Sequence, residues 1–185
     1  MNQAVAFIID TLFDVLCFLF LARLILQASK ADFYNPISQG VVRITDPILV
    51  PLRIVIPRFR NIDFAAFVAA LLVKVIALAI VHGLKTGYLP TATELFVYGL
   101  WDVLRLVLTF YLFGILLVVV LSFVNPGGYH PALALLSQVM DPVMAPARRL
   151  IPPIGGLDLS PILTLMVIEL LRDYVLPALM NTLLR

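Results

Sequence analysis

The amino-acid sequence predicts an all-α membrane protein that consists of two tandem parallel repeats with about four transmembrane helices. Apolar residues make up 62% of its 185 residues and charged residues 13%, whereas soluble globular chains have about 45–50% and about 25%. Several apolar segments reach the ~20 residues that a helix needs to cross a bilayer. The two halves of the chain also share a motif at constant spacing, which indicates an internal repeat. This composition excludes an ordinary soluble domain.

Four segments are predicted to span the membrane: residues 4–26, 64–84, 99–124 and 162–184. The third is the most apolar, because residues 106–124 carry no charge. The fourth contains Glu169, Arg172 and Asp173. Pro177 also lies within the fourth span and is expected to bend it.

The distribution of basic residues predicts how these spans are oriented. Four spans place the two long loops, around residues 28–63 and 125–160, on one side of the membrane. These loops contain Lys30, Arg43, Arg53, Arg58, Arg60, Arg148 and Arg149. Only Lys85 and Arg185 lie on the other side. Because cytoplasmic loops are enriched in Lys and Arg, both loops are predicted to be cytoplasmic and both termini to lie outside.

The two long loops align without a gap when the chain is shifted by 95 residues. The identical positions in the first loop are Asp46, Pro47, Pro51, Arg53, Ile56, Pro57 and Asp63. Their counterparts in the second loop are Asp141, Pro142, Pro146, Arg148, Ile151, Pro152 and Asp158. The repeats are accordingly assigned to residues 1–90 and 91–185. Since each repeat crosses the membrane twice, the copies are expected to share one orientation and to be related by an axis along the membrane normal.

Each copy of the motif predicts a short helix. An Asp followed by a Pro is typical of a helix N-cap and the first helical residue, so helices are expected to begin at Asp46 and Asp141. Further prolines, Pro57 and Pro152, are expected to end them.

These helices are too short to cross a bilayer but are rich in apolar residues. We therefore expect residues 36–57 and 131–152 to form helices that lie at the inner membrane interface or re-enter the membrane shallowly. Arg53 and Arg148 would then reach lipid phosphates or cap helix carbonyls. An ordinary loop packed on the helix bundle is the alternative.

The motif also carries a specific resemblance. The segments DPVMAPAR at 141–148, IP at 151–152 and DLSP at 158–161 resemble the signature of the YggT family, also called YlmG. The first copy matches up to Asp63 and then has Phe64-Ala65-Ala66, where the family pattern favours Ser-Pro. The resemblance extends over nearly the whole chain and is similar to two-repeat proteobacterial members. It implies a small multi-pass protein of the bacterial cytoplasmic (inner) membrane without known catalytic activity.

Charged residues inside the predicted spans form a second set of candidates. Those singled out are Asp10, Asp14, Lys74, Arg105 and Glu169. A charge at the bilayer centre costs about 2.5–3.5 kcal/mol on insertion scales, so these side chains are expected to pair or to face water. Lys74 and Glu169 occupy equivalent positions with opposite charge, as do Asp10 and Arg105, which makes Lys74–Glu169 a candidate central ion pair. The alternatives are Lys74 with Asp14, and Glu169 with the nearby Arg172.

Catalytic and cofactor motifs were not found in the sequence. It contains no Gly-rich phosphate loop, no nucleophile elbow, and no Cys or His pair at metal-ligand spacing. Cys17 is expected to be a buried inert thiol, and a net charge of +2 is too small to indicate nucleic-acid binding. Neither an enzyme nor a cofactor is therefore expected.

The predicted function is to organise or assist partners at the cytoplasmic membrane face. The expected partners are anionic lipid headgroups, an unidentified membrane or cell-division protein, and a second copy of the chain. Family members are linked to cell-division gene neighbourhoods, to osmotic stress and, in plastids, to cytochrome maturation and nucleoid organisation. The intramembrane charges and broken helices suggest an ion channel or transporter in osmotic homeostasis as an alternative. The plastid relatives suggest a haem or cytochrome assembly factor as a further one.

Overall fold

A computed structural model describes residues 2–57, 59–124, 130–152 and 158–183, which are almost entirely helical. In order, the elements are α1 (Asn2–Ala28), α2 (Pro36–Val55), α3 (Phe64–Thr86), α4 (Ala92–Val124), α5 (Pro131–Leu150), α6 (Ser160–Leu170), a π-helical turn (Leu171–Val175) and α7 (Leu176–Leu183). The predicted all-α fold class is confirmed. Arg58, one of the loop charges, and Arg185, at the C-terminus that was predicted to lie outside, are not among the described residues.

Three of the described helices are long and apolar enough to cross a membrane. They are Gln3–Ala28, Phe64–Thr86 and Ala92–Val124, and they contain the first three predicted spans. Large apolar side chains on their outer surfaces, such as Phe7, Leu12 and Phe113, are exposed. Such extensive apolar exposure is rare in a soluble monomer and is what lipid-facing residues require.

The fourth predicted span is helical but is not one uninterrupted α-helix. At the π-helical turn, the amide of Leu176 bonds to the carbonyl of Leu171. Pro177 follows, and it has no N–H to offer to the carbonyl of Asp173. The proline that predicted a bend therefore lies beside a π-helical turn. The helical segments from α6 to α7 all pack against α4, so this segment runs along α4.

The starts of α2 and α5 agree with the helices expected over residues 36–57 and 131–152, but correct the start expected from the Asp-Pro motif. Helices do not begin at Asp46 and Asp141, which lie ten residues inside α2 and α5. The N-caps are Asn35 and His130, whose side chains accept hydrogen bonds from the amides of the second helical residues at 3.0 and 3.2 Å. Each cap is followed by a proline at the first helical position. Each helix therefore begins at the first proline that follows an N-cap residue, and the later Asp-Pro pair lies inside the helix.

Two prolines lie inside each of these helices. In α2 they are Pro47 and Pro51, four residues apart and so on one helix face, where the loss of two amide donors loosens only that face. The predicted ends are close to those observed. Ile56 and Ile151, immediately before the terminal prolines, are extended with φ of −115° and −124°, as expected of residues that precede proline.

The same order of elements forms both repeats. In the first, α2 packs against α1 and α3, and in the second, α5 packs against α4 and α6. Small residues on α3, among them Ala66, Ala69 and Ala70, are buried and let α1 approach closely. The repeats meet where α3 packs on α4, and where the side-chain amide of Asn35 donates to the carbonyl of Pro131 at 2.8 Å.

Candidate functional site

The charged residues of the repeated motif come together as an ion triad in the first repeat. Arg53 lies in the last turn of α2, two helical turns after Asp46, so both side chains lie on one helix face. Asp63 is the residue that precedes α3. The guanidinium of Arg53 donates to Asp46 at 3.3 Å and, through Nε, to Asp63 at 3.1 Å. We call Asp46, Arg53 and Asp63 the first triad.

The second repeat contains the same arrangement. Arg148 near the end of α5 donates through Nη1 to Asp141 at 2.9 Å and through Nε to Asp158 at 3.0 Å. Asp158 also accepts a hydrogen bond from the amide of Ser160 at 2.9 Å, at the start of α6. We call Asp141, Arg148 and Asp158 the second triad.

The triads explain why charged residues recur at three positions with fixed spacing. Each triad joins a Pro-containing helix to the beginning of the helix that follows it. A planar guanidinium can serve two carboxylates at once in a fixed geometry, which an ammonium group does less well. The expectation that Arg53 and Arg148 reach phosphates or helix carbonyls is therefore corrected: both bind carboxylates.

The two triads differ in burial. The side chain of Asp63 is fully buried and that of Arg53 is 14% exposed, whereas the side chains of Asp158 and Arg148 are 34% and 39% exposed. Arg23 of α1 adds a second guanidinium to the first triad, with Nη2 3.8 Å from Asp46.

The electrostatics of the second triad favour its charged form. Burial alone would raise the pKa of Asp158, but hydrogen bonds from Ser160 and Arg148 outweigh that effect and hold the pKa below its ordinary value. Burial likewise acts to lower the pKa of Arg148, and its bonds to Asp141 and Asp158 overcome this and raise the pKa. Both shifts in pKa favour the ionised forms of Asp158 and Arg148.

A second group of charges lies between the long helices. The ammonium group of Lys74 on α3 forms a close ion pair with Asp14 on α1, and lies 3.7 Å from a carboxylate oxygen of Asp102 on α4. The Lys74 side chain is buried, whereas Asp14 and Asp102 are partly exposed. We call these three residues the intramembrane cluster.

The predicted Lys74–Glu169 pair is wrong. Glu169 is exposed, and its electrostatic partner is Arg172, which itself binds Asp173 at 2.7 Å. The physical reason is that α3 packs on α1 and α4, so Lys74 meets carboxylates from those helices. The structure contains the alternative ion pair, between Lys74 and Asp14.

Asp10 and Arg105, the other charged candidates, both interact electrostatically with Asp102 of this cluster. Arg105 is exposed, and its guanidinium lies 5.0 Å from the centre of the Trp101 ring. Asp10 is partly buried on α1. Cys17 is buried with no exposed surface. Within the part of the chain that the structure describes, no group of three His, Cys, Asp or Glu residues could hold a metal ion.

The sequence does not single out two participants, although both are charged residues within the predicted spans. Asp102 aligns with the uncharged Phe7 of the first repeat, and Arg23 aligns with the uncharged Val118 of the second, so neither forms a couple of opposite charges across the repeats. In contrast, the recurrence of Asp, Arg and Asp at intervals of seven and ten residues was a usable signal for the triads.

Comparison with known proteins matches both repeats. A family model described as CCB3/YggT matches the chain twice, over residues 2–84 and 97–179. The first match covers α1, α2 and nearly all of α3, and the second covers most of the elements from α4 to α7. No solved structure matches the chain.

Individual relatives are similar over nearly their whole length. The Pseudomonas aeruginosa protein PA0392 is 38% identical over 177 residues, which is 95% of this chain and 90% of its own. YggT of Escherichia coli K12 is 34% identical over 180 residues, 97% of this chain and 93% of its own. A Vibrio alginolyticus protein in the proC 3′ region is 35% identical over 159 residues, 85% of each chain. The names of these relatives assign no activity. The chain therefore belongs to the CCB3/YggT family of membrane proteins.

Proposed function

We propose that this protein is a non-enzymatic component of the bacterial cytoplasmic membrane that holds α2 and α5 at the cytoplasmic surface and thereby organises partners there. The observation that supports the proposal is the recurrence of the triad. In each repeat an arginine fastens the Pro-containing helix to the start of the following long helix. A helix fastened in this way is a fixed surface, whereas an untethered connection would be mobile.

The surface of α2 suits a membrane interface. Its buried residues are Ser38, Thr45 and Leu49, and an exposed apolar stripe consists of Ile37, Ile44, Ile48 and Val55. The stripe residues recur at intervals of seven, four and seven, which is helical spacing. A short helix with its apolar side turned away from the bundle fits the boundary between headgroups and acyl chains.

The surface of α5 differs from that of α2. Val139, Met140 and Met144 are buried in the apolar cluster around α4, and the exposed residues are mostly polar or proline. Those in the second half of α5 are Asp141, Pro142, Pro146, Arg149 and Leu150. This exposed side of α5 suits contact with a protein in the cytoplasm or at the membrane surface.

The proposal includes a multi-pass topology with both termini outside. The elements α6, the π-helical turn and α7 together comprise 24 residues, about 36 Å at a helical rise. This exceeds the ~30 Å hydrocarbon core, and the segment packs along α4. Three crossings would put α2 and α5 on the same side of the membrane, which their basic loops predict to be the cytoplasmic side. A fourth crossing would carry the C-terminus to the outside.

Cross-linking in living cells tests whether α5 contacts a partner. A photo-reactive residue replaces Leu150, which is 75% exposed, and the background carries either Arg148→Gln or Arg60→Gln. Arg148 belongs to the second triad, whereas Arg60 is an exposed arginine in the connection between α2 and α3. The proposal predicts a discrete protein adduct that is lost in Arg148→Gln and kept in Arg60→Gln. Adducts with lipid alone, or equal adducts in both variants, would contradict it.

A channel or transporter for ions is the second candidate, because the intramembrane cluster places three charges between the long helices. The purified protein in liposomes separates the candidates. The organising role predicts potassium and proton fluxes equal to those of empty liposomes. A flux above that level which Lys74→Met changes would favour transport.

A further inference from the structure

The first repeat contains a basic recess at the end of α1 and the start of α2. Two cavities of about 670 and about 440 Å³ share Arg23 and Phe33 in their walls. Arg43 lines the larger cavity and Lys30 the smaller. We call the space lined by these four residues the basic recess.

The charges of the basic recess are unbalanced. Arg23 is held in place by Asp46 at 3.8 Å and by the ring of Phe33, whose centre lies 5.0 Å from its guanidinium carbon. Lys30 and Arg43 are exposed, and neither has a carboxylate partner within the described ranges. The recess thus presents three positive charges against the single carboxylate of Asp46, which Arg53 also shares.

The second repeat shows that the fold does not need these charges. The counterparts of Arg23, Lys30 and Arg43, 95 residues later, are Val118, Asn125 and Gln138. Nevertheless the second repeat has the same order of helices and the same triad. Lys30 and Arg43, which are exposed, are therefore not required for this fold, whereas the buried Arg23 also packs beside the first triad.

We propose that the basic recess binds the phosphate of an anionic phospholipid headgroup. Lys and Arg clustered at helix ends near a membrane surface attract such headgroups, and guanidinium groups bind phosphate oxygens through paired hydrogen bonds. An acyl chain also has a place nearby, because Ala22, Ile25, Ile37 and Val41 of these two helices, together with apolar residues of α4 and α5, line an apolar cavity of about 280 Å³. The site goes beyond the proposed function, since it would exist whether or not α2 and α5 organise partners.

Lipid binding to the purified full-length protein tests the site. Native mass spectrometry after titration with cardiolipin, phosphatidylglycerol or phosphatidylcholine counts the lipids bound to wild type, Arg43→Gln and Lys30→Gln. Both substituted side chains are exposed, so the fold is expected to tolerate the changes. One tightly bound anionic lipid per chain is expected, and each substitution is expected to weaken it about fivefold. The matched control is Arg149→Gln, an exposed arginine of the second repeat, which should leave that affinity unchanged.

Two outcomes would overturn the site. If Arg149→Gln weakens binding as much as Arg43→Gln, the attraction is diffuse and no recess is involved. In a separate competition experiment, inorganic phosphate or glycerol 3-phosphate is added to the protein with bound cardiolipin. If either displaces cardiolipin at equal concentration, the recess binds a free phosphate and the lipid assignment is wrong. Displacement only by short-chain anionic lipids supports the lipid assignment.

Discussion

Arg53 at the end of α2 donates two of its guanidinium hydrogen bonds to one carboxylate oxygen of Asp63, the residue before α3. This contact crosses the connection between an amphipathic helix and a long apolar helix, and Arg148 makes the corresponding contact to Asp158. The same Arg–Asp contact therefore joins α2 to α3 in the first repeat and α5 to α6 in the second. The functional consequence is a fixed position for α2 and α5 relative to the long helices.

Equivalent substitutions in the two triads are expected to differ in cost. Arg53→Gln leaves the fully buried Asp63 without its arginine, and the loss of one partner from a buried ion pair costs about 3–5 kcal/mol. Arg148→Gln affects a triad whose three side chains are each more than a third exposed. The expected loss of unfolding free energy is therefore about 1 kcal/mol or less. Thermal unfolding in detergent shows which of the two substitutions lowers the stability more, with Arg149→Gln as the control. Equal losses in both repeats would show that burial does not decide the strength of the triads.

The intramembrane cluster predicts a specific coupling. Lys74→Met is expected to destabilise the protein, because Asp14 and Asp102 lose the buried ammonium group that lies close to both. The cost is at most the roughly 3–5 kcal/mol of a fully buried ion pair that loses one partner. Adding Asp14→Asn should recover part of that loss, whereas adding Glu169→Gln should recover none. A double-mutant cycle on unfolding free energies measures both couplings. A larger coupling of Lys74 to Glu169 than to Asp14 would contradict the cluster.

These contacts show which features of the sequence were informative. The long helices follow from apolar length, and the ends of α2 and α5 follow from the terminal prolines, because both are local effects. The start of α2 could not be decided locally, since Asn35-Pro36 and Asp46-Pro47 both carry a cap and a proline. The equivalent positions of Lys74 and Glu169 in the two repeats likewise do not reveal which helices pack against each other. The partner of Lys74 was therefore predictable only as a set of alternatives.

The lowered pKa of Asp158 predicts acid sensitivity of the second triad. A carboxyl group whose pKa is lower in the folded protein stabilises it above the ordinary value of 3.8, and that stability is lost as the pH falls through the lowered pKa. Wild type should therefore have a higher Tm than Asp158→Asn at pH 7, and the difference should shrink below about pH 4. Unfolding scans at several pH values measure it. A difference that grows on acidification would mean that another group is responsible.

The proposed topology predicts the fate of C-terminal fusions. A reporter that is active only in the cytoplasm should be silent when it follows the last residue, because a fourth crossing carries the C-terminus outside. The same reporter placed after Val124 should be active. Activity at both positions would show that α6 to α7 does not cross the membrane. Reversed activities would show that the whole chain has the opposite orientation.

In the proposed function the triads hold the amphipathic helices at the membrane surface, and a spin label on α2 tests this most directly. Val55 of the apolar stripe is 78% exposed and Cys17 is buried, so a nitroxide on Val55→Cys is a selective probe in the reconstituted protein. Its relative accessibility to oxygen and to a water-soluble nickel complex measures depth, and its line shape measures mobility. The account predicts a label within about 5–10 Å of the headgroup boundary that becomes more mobile in Arg53→Gln but not in Arg149→Gln. A label fully exposed to water in the otherwise unchanged protein, or a line shape that Arg53→Gln does not alter, would contradict the account.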